Sequence, residues 1–430
     1  MNIESLYTVF KQHPRVQTDS RKLQKGDIFF ALKGDNFNGN LFAADALSKG
    51  AVAVVVDEPI GIDGSSVFKV ENVLQTLQTL AKYHRQQFNI PFIAITGSNG
   101  KTTTKELIHA VLSAHFITYT TEGNLNNHIG IPLTLLKVKP DAEMAVIEMG
   151  ANHQKEIEGY CKYTLPTHGL ITNIGKAHLE GFGGIEGVKK GKGELFDYIQ
   201  AHQGTVFVFN DQEALRELSK SIANKISYGV TDAAITGAIL SAKPFLSVHI
   251  NHPEIGTINS RLVGDYNYPN ILAAVAVGLY FKVPAEKIRT AIENYSPTNS
   301  RSQMIRAGSN EIILDAYNAN PSSMQAAIAN FAALPSDKKI LFLGAMAELG
   351  EESIDEHQKL INLIQSYSWQ QVILVGDEFK KVSHAYMHFN NSKEAAEWVK
   401  LNLPENAFLL IKGSRSTKME KVLDELIIKK

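Results

Sequence analysis

One stretch, FIAITGSNGKTTTKELIHAV at residues 92–111, constrains the architecture more than any other part of the chain. An apolar run of strand type, FIAIT, enters a glycine loop, and the loop opens a helical pattern, TTTKELIHAVLSAHF. A strand that feeds a helix in this way belongs to a mostly parallel sheet, because the helix must carry the chain back across a face of the sheet. The loop almost spells the phosphate-binding pattern G-x-x-x-x-G-K-[ST]. Gly100, Lys101 and Thr102 close the pattern, but Ile95 holds the place of its first glycine and a glycine arrives only at Gly97. Glycines let backbone N–H groups, including that of Asn99, approach an anion, and the helix start offers its positive end. Lys101 can reach the terminal phosphates and Thr102 can ligate Mg²⁺. The order of strand, loop and helix predicts an ATP or GTP site. The competing reading is an ordinary glycine-rich turn.

The rest of the chain repeats the alternation. MAVIEM, GLITNI and TVFVFN are further apolar strand candidates with helical patterns between them. The sheet is expected to end before GDYNYPNILAAVAVGLYF, an alanine-rich helix suited to close packing. Ahead of the loop lie two short strand-like runs, DIFFAL and AVAVVV, a helical NGNLFAADALSKG that stops at Gly50, and a second helix, LQTLQTLAKYHRQQF. The turn-rich NYSPTNSR marks a boundary near Pro297. Beyond it EIILDAY, KILFLGAM, QVILVGD and AFLLIKGS start a second, smaller doubly wound unit. The chain therefore reads as α/β in three domains, at residues 1–88, 89–297 and 298–430. A length of 430 residues agrees, at roughly 150 residues per domain.

Composition narrows the functional class. A net charge of −1 gives no global basic field to draw nucleic acid or an anionic membrane. The one cysteine, Cys161, forms no internal disulfide, fits a reducing compartment and reads as structural. MNIESLYTVFKQHP lacks the apolar core of a signal peptide, and no stretch approaches the ~18 apolar residues of a membrane span. A cytoplasmic protein is expected.

Residues at strand exits supply candidates for metal. Glu148 ends MAVIEM, and His178 follows GLITNIG, so both fall near the loop if the sheet is parallel. A carboxylate and an imidazole there can serve the Mg²⁺ that bridges phosphates. Zinc is not expected, since no cysteine pair or HExxH spacing occurs. Lys189, Lys190 and Lys192, in EGVKKGKGELFDYI, read by composition as a solvated helix face.

AITGSNGKTTT, IEMGANHQKEI, ITNIGKAHLEGFG and KGKGELF, in that order, resemble the Mur ligases of bacterial cell-wall synthesis, and the resemblance runs along essentially the whole chain. EGNLNNHIGIPLTLL, DAYNANPSSM, AELG and IKGSRSTKME resemble one branch of the family, which extends UDP-N-acetylmuramoyl-tripeptide with D-Ala-D-Ala. The resemblance implies a small UDP-binding domain, a central P-loop ATPase-like domain and a C-terminal Rossmann-like domain that closes over both. It implies ATP and two Mg²⁺ ions, no nucleic-acid or membrane partner, and a monomer.

Residue roles follow from the same resemblance. Gly97, Asn99, Gly100, Lys101, Thr102 and Thr103 would cradle the nucleotide, with Asn267 and Asn270 near the adenine and Asp315 on the ribose. Thr102, Glu148 and His178 would serve Mg²⁺, and Lys192 would be carbamylated by CO₂ to hold a second ion. Arg301 would reach the phosphates on closure, so Lys101, Lys192, His178 and Arg301 form the implied catalytic set. Ser20 and Arg21 would meet the uridine, while Asn124, Asn126, Asn127, Asn318 and Asn320 would face substrate. Lys412, Ser414 and Arg415 would form a wall for the dipeptide carboxylate. Three positions depart from the family pattern: Asn38-Gly39-Asn40 replaces Asp-Gly-His, Tyr266 stands for a frequent histidine, and Ala345 for a frequent acid.

The implied chemistry is amide formation through an acyl phosphate, which converts a poor electrophile into a good one. Two other ligases compete for the assignment. The enzyme that adds the third residue usually carries a DNPR-like motif, absent here. Folylpolyglutamate synthase lacks an N-terminal domain of this kind. A nucleotide switch that binds the UDP-peptide without chemistry is the reading from another class.

Overall fold

The computed structural model describes residues 2–427. Three α/β units follow one another along it, each built on its own sheet. The first sheet is wholly parallel, in the order Val16–Gln17, Ile28–Phe30, Ala53–Val56, Val67–Lys69. DIFFAL and AVAVVV supply its two central strands, and the outer strands are only two and three residues long. Runs that short leave no periodic trace in a sequence. A hairpin, Lys33–Gly34 with Phe37–Asn38, precedes a turn of 3₁₀-helix, so the helical reading of NGNLFAADALSKG holds only from Ala43–Ser48. The helix Val73–Arg85 joins this unit to the next: the Arg85 guanidinium lies 3.7 Å from the Phe92 ring centre, and its Nε donates to the Thr164 carbonyl at 3.0 Å.

The second sheet has nine strands. Phe92–Thr96 is buried along its length, with His168–Ile171 on one side and Met144–Glu148 on the other, all parallel. The chain winds outward in both directions from Phe92–Thr96, so a crevice opens at the carboxyl end of that strand. The phosphate loop occupies this switch point. The helix that follows the loop, Lys101–Ser113, packs against the helix Tyr268–Tyr280, and a Cβ at Gly278 would lie 2.7 Å from Val111 Cγ1. Close approach of the two helices is the reason for the small residues of Tyr268–Tyr280.

The sheet ends just before GDYNYPNILAAVAVGLYF, as expected, but it holds three strands that no apolar run announced. Beyond Lys225–Gly229 it continues through Ile235–Ala242, Phe245–Ile250 and Gly256–Val263, the last two pairings antiparallel. This extension is half-solvated, with buried and exposed residues alternating along Phe245–Ile250. Gly256–Val263 is the edge, and its Asn259 N–H donates to the Glu293 carboxylate at 2.9 Å.

The third sheet runs Gln303–Ala307, Asn310–Asp315, Phe408–Lys412, Lys339–Gly344, Gln371–Val375, Met387–Phe389. Only the first pairing is antiparallel. Asp315 and Lys412 close adjacent parallel strands and therefore share one rim. Among the described residues no helix is long and apolar enough to cross a membrane.

Candidate active site

A cleft of about 720 Å³ lies between the second and third units, where the carboxyl ends of their strands meet. Lys101, Glu148, His178, Arg301, Asp315 and Lys412 all line it.

The phosphate loop is held in a shape that needs its glycines. Gly97 has φ +141°, and a Cβ there would sit 2.0 Å from Thr172 Oγ1. Gly100 has φ +76°, with Asn270 Oδ1 2.8 Å from where its Cβ would be. Thr172 Oγ1 donates to the Asn99 carbonyl at 2.6 Å, and Asn173 Oδ1 accepts from the Asn99 N–H at 3.0 Å. The neighbouring strand exit thus shapes a loop that lacks the first glycine of the usual pattern. Lys101 Nζ folds back on the Gly97 and Ser98 carbonyls, at 2.8 and 3.2 Å. Burial pushes its ammonium down to about 8, with Arg301 adding to the effect and Glu148 opposing it.

Glu148 ends its strand beside the loop. Its Oε1 accepts from Thr102 Oγ1 at 3.2 Å and from Asn126 Nδ2 at 2.7 Å, while its Oε2 is buried with no partner among the described residues. An unpaired carboxylate oxygen in such a place is costly unless something occupies it. A carboxylate and a hydroxyl suit a hard cation that takes its other ligands from phosphate and water. The donor set therefore fits Mg²⁺. No group of three or more His, Cys, Asp or Glu residues that could hold a metal occurs among the described residues. His178, with φ +53°, has its Nδ1 paired to Glu348 of the third unit.

Lys192 corrects the solvated-face reading. Its side chain is fully buried in the helix Ile185–Ala201, where Nζ donates to the Ala151 carbonyl at 2.9 Å and stands 4.8 Å from the Phe182 ring centre. Lys189 does pair with Glu217 at the surface, and Lys190 is exposed. The flanking glycines explain the difference, since a Cβ at Gly191 would meet Phe182 at 2.5 Å. Burial, reinforced by the Lys101 charge, pushes the Lys192 amine well below the usual lysine range, toward the neutral form.

Asn267 and Asn270 form a relay: Thr104 Oγ1 donates to Asn270 Oδ1 at 2.9 Å, Asn270 Nδ2 to Asn267 Oδ1 at 2.8 Å, and Asn267 Nδ2 to the Val263 carbonyl at 2.8 Å. Thr103, Asn124, Asn126 and Asn127 face the cleft from the central unit. Across it Arg301 lies 3.8 Å from the Tyr317 ring centre, and its buried Nε has no partner among the described residues. Asn320 bonds Asn99 Oδ1 at 2.7 Å and also caps the helix Pro321–Ala333, so the two units touch at the phosphate loop. Asn318 lines the same wall.

Two groups of expected residues separate from this cluster. Lys412 and Arg415 line the cleft, but Ser414 is buried behind them with its hydroxyl 3.0 Å from that of Ser416. Ser20 and Arg21 sit on the first unit outside the cleft lining, and Arg21 is exposed and paired to Asp19 at 2.8 Å. The Asn38 and Asn40 departures are absorbed locally, by Glu58 at 2.7 Å and Asp57 at 2.8 Å. Tyr266 is half-buried and lines the cleft, with its hydroxyl 2.8 Å from Ser302 Oγ. Sequence reasoning misses the roles of Glu348 and Tyr317, although AELG and DAYNANPSSM contain them. Nothing in their spacing marks an ion pair or a stacking surface.

Three family profiles match the chain: "Mur ligase family, catalytic domain" at residues 15–87, "Mur ligase middle domain" at 95–278, and "Mur ligase, glutamate ligase domain" at 300–415. The UDP-N-acetylmuramoyl-tripeptide–D-alanyl-D-alanine ligase of Bacillus subtilis (strain 168) is 33% identical over 96% of this chain and 93% of its own length. The protein of that name from Escherichia coli (strain K12) is 34% identical, with the same coverage. Among solved structures, MurF from Acinetobacter baumannii superposes with a TM-score of 0.88 at 30% identity, over 100% of this chain and 99% of the other. MurF ligase from Thermotoga maritima in complex with ADP gives 0.85 at 25% identity, over 96% of each chain.

Proposed function

The chain belongs to the Mur ligase family, and we propose that its cleft builds one amide bond through an acyl phosphate. It is an ATP-dependent ligase that joins D-Ala-D-Ala to UDP-N-acetylmuramoyl-tripeptide in peptidoglycan precursor synthesis, giving the pentapeptide, ADP and phosphate. Its three-domain α/β fold is that of the solved Mur ligases.

A carboxylate is a poor electrophile with a poor leaving group. The tripeptide carboxylate attacks the γ-phosphorus of ATP, ADP leaves, and an acyl phosphate forms. The dipeptide amine then attacks the acyl carbon, loses a proton, and expels inorganic phosphate. Negative charge builds on the transferring phosphoryl group and then on the tetrahedral oxygen, and fixed cations offset it. Lys101 does so by leaving the Gly97 and Ser98 carbonyls for the phosphates, and Arg301 approaches from the opposite wall. Thr102, Glu148 and His178, which the cleft brings to one crevice, would hold Mg²⁺. When bound, Mg²⁺ neutralises phosphate charge and aligns the reacting oxygens. Burial favours the uncharged amine of Lys192, the form that adds to CO₂, and the resulting carbamate would be an anionic ligand for a second ion.

Asn267, Asn270 and Asp315 receive the nucleoside, while Asn124, Asn126, Asn127, Asn318 and Asn320 flank the peptide. Lys412 and Arg415 meet the dipeptide carboxylate, and Ser414 supports them from behind. Ser20 and Arg21 take the uridine as the first unit approaches. The divisions at 88/89 and 297/298, a cytoplasmic location and a monomeric state complete the reading.

The observation that carries it is the meeting of the phosphate loop, the unpaired Glu148 oxygen and the Arg301–Asp315–Lys412 wall in one cleft. The test is phosphate release from Mg-ATP with UDP-N-acetylmuramoyl-tripeptide, with and without D-Ala-D-Ala, followed by mass identification of the product. Release that requires both acceptors, with pentapeptide formed, supports the reading. Absence of release with either the diaminopimelate or the lysine tripeptide defeats it.

A further inference from the structure

The linker between the second and third units is fastened to the phosphate-loop helix by one carboxylate. Glu106 stands on the helix Lys101–Ser113, little more than a turn beyond Thr102. Its Oε1 accepts from Asn299 Nδ2 at 2.9 Å, and its Oε2 accepts from the Tyr295 hydroxyl. The buried Lys105, held by the Thr121 carbonyl at 2.8 Å, brings its ammonium within 3.6 Å of the same carboxylate. Both linker partners lie in NYSPTNSR, and Asn299 is only two residues before Arg301.

The linker is also pinned downstream. Tyr266 OH lies 2.8 Å from Ser302 Oγ, and the Ser302 N–H donates to Asp315 Oδ1 at 3.3 Å. Arg301 is thus held between two fixed points, and its neighbours Ser300 and Ser302 have left-handed φ values of +56° and +49°. Serine keeps that backbone only where its surroundings over-determine it. The guanidinium projects between the pins into the cleft, against Tyr317.

We propose that Glu106 is a positioning residue for Arg301. By holding Tyr295 and Asn299 against the phosphate-loop helix, it sets where the linker leaves the central unit and hence where the guanidinium meets the nucleotide. Glu106 itself does not line the cleft. The proposal rests on the ligase reading above.

The test is steady-state kinetics of pentapeptide formation on the full chain. Glu106→Ala lowers kcat about 10- to 100-fold with KM for ATP within about threefold, the pattern of a displaced transition-state group. Glu106→Gln keeps an acceptor for Asn299 and returns kcat to within about threefold of the wild type. In an Arg301→Ala background, Glu106→Ala adds less than about twofold, because the group it positions is gone. Asn299→Ala, on the partly exposed linker, lowers kcat in the same manner and carries the test should Glu106→Ala fail to fold. Unchanged kcat in both Glu106→Ala and Asn299→Ala overturns the proposal, as does a full multiplicative loss in the Arg301→Ala background. Absence of wild-type turnover sinks the ligase reading instead, so the two failures are distinguishable.

Discussion

Asp315 Oδ2 and Lys412 Nζ are 2.5 Å apart at the ends of adjacent parallel strands, and the lysine side chain is only 2% exposed. The pair joins the residue assigned to the ribose to the residue assigned to the dipeptide carboxylate.

Removing the cation strands a carboxylate in a mostly buried place. Lys412→Ala is expected to destabilise the third unit by roughly 3 kcal/mol, and Asp315→Asn in the same chain recovers part of the loss. Both tryptophans, Trp369 and Trp398, lie in this unit, so the urea transition of intrinsic fluorescence reports it directly.

Lys101→Ala removes the cation proposed to meet the transferred phosphate, at the cost only of its bonds to the Gly97 and Ser98 carbonyls. Product formation should fall more than about 100-fold while the thermal midpoint stays near the wild type. Normal turnover in this variant would contradict the assignment of the loop.

Gly97→Ala collides with Thr172 and places a side chain at a strained φ. Nucleotide affinity, measured by calorimetric titration of ADP, should weaken about tenfold or more, because the loop must move to admit the Cβ.

Lys192 makes a prediction about CO₂. Degassed, bicarbonate-free enzyme should lose activity and regain it on addition of bicarbonate. Labelled bicarbonate should give a carbamate carbon resonance in the wild type that Lys192→Ala lacks. A wild type indifferent to CO₂ would remove the second metal from the mechanism.

His168 lies among Phe207, Tyr280 and Phe281, and burial pushes its imidazole down to about 4. The unfolded chain has a histidine near 6.5, so between these values the unfolded state binds more protons and stability falls as pH falls. The stability is fully present above about pH 6.5 and is lost on approach to pH 4, by about 1–3 kcal/mol in total. Hydrogen exchange of His168–Ile171 should show this slope in the wild type and a flatter one in His168→Phe.

The legible parts of the molecule are those whose signal is local. The phosphate loop depends on residues within a few positions of one another, and the strands around it are unbroken apolar runs because both their faces are covered. The half-solvated extension from Ile235 to Val263 escapes notice, since its alternating pattern mixes polar residues into the strands. Lys192 shows a deeper limit. Its burial depends on how Gly191 lets the helix close on Phe182, a contact between segments that composition cannot register. The pairing of His178 with Glu348, 170 residues apart, is equally invisible. The relevance of Lys192 comes from resemblance alone, and the position of Ser414 behind its wall comes from neither.

The edge strand Gly256–Val263 is eight residues long, whereas the opposite edge of the same sheet, Thr118–Thr120, has three. A long open edge is a template on which another chain can add a strand. The Glu293 carboxylate occupies the Asn259 N–H in the middle of that edge, denying a donor and placing a negative charge where an incoming backbone would run. A side chain outside the cleft lining thereby makes this edge a poorer template for an added strand.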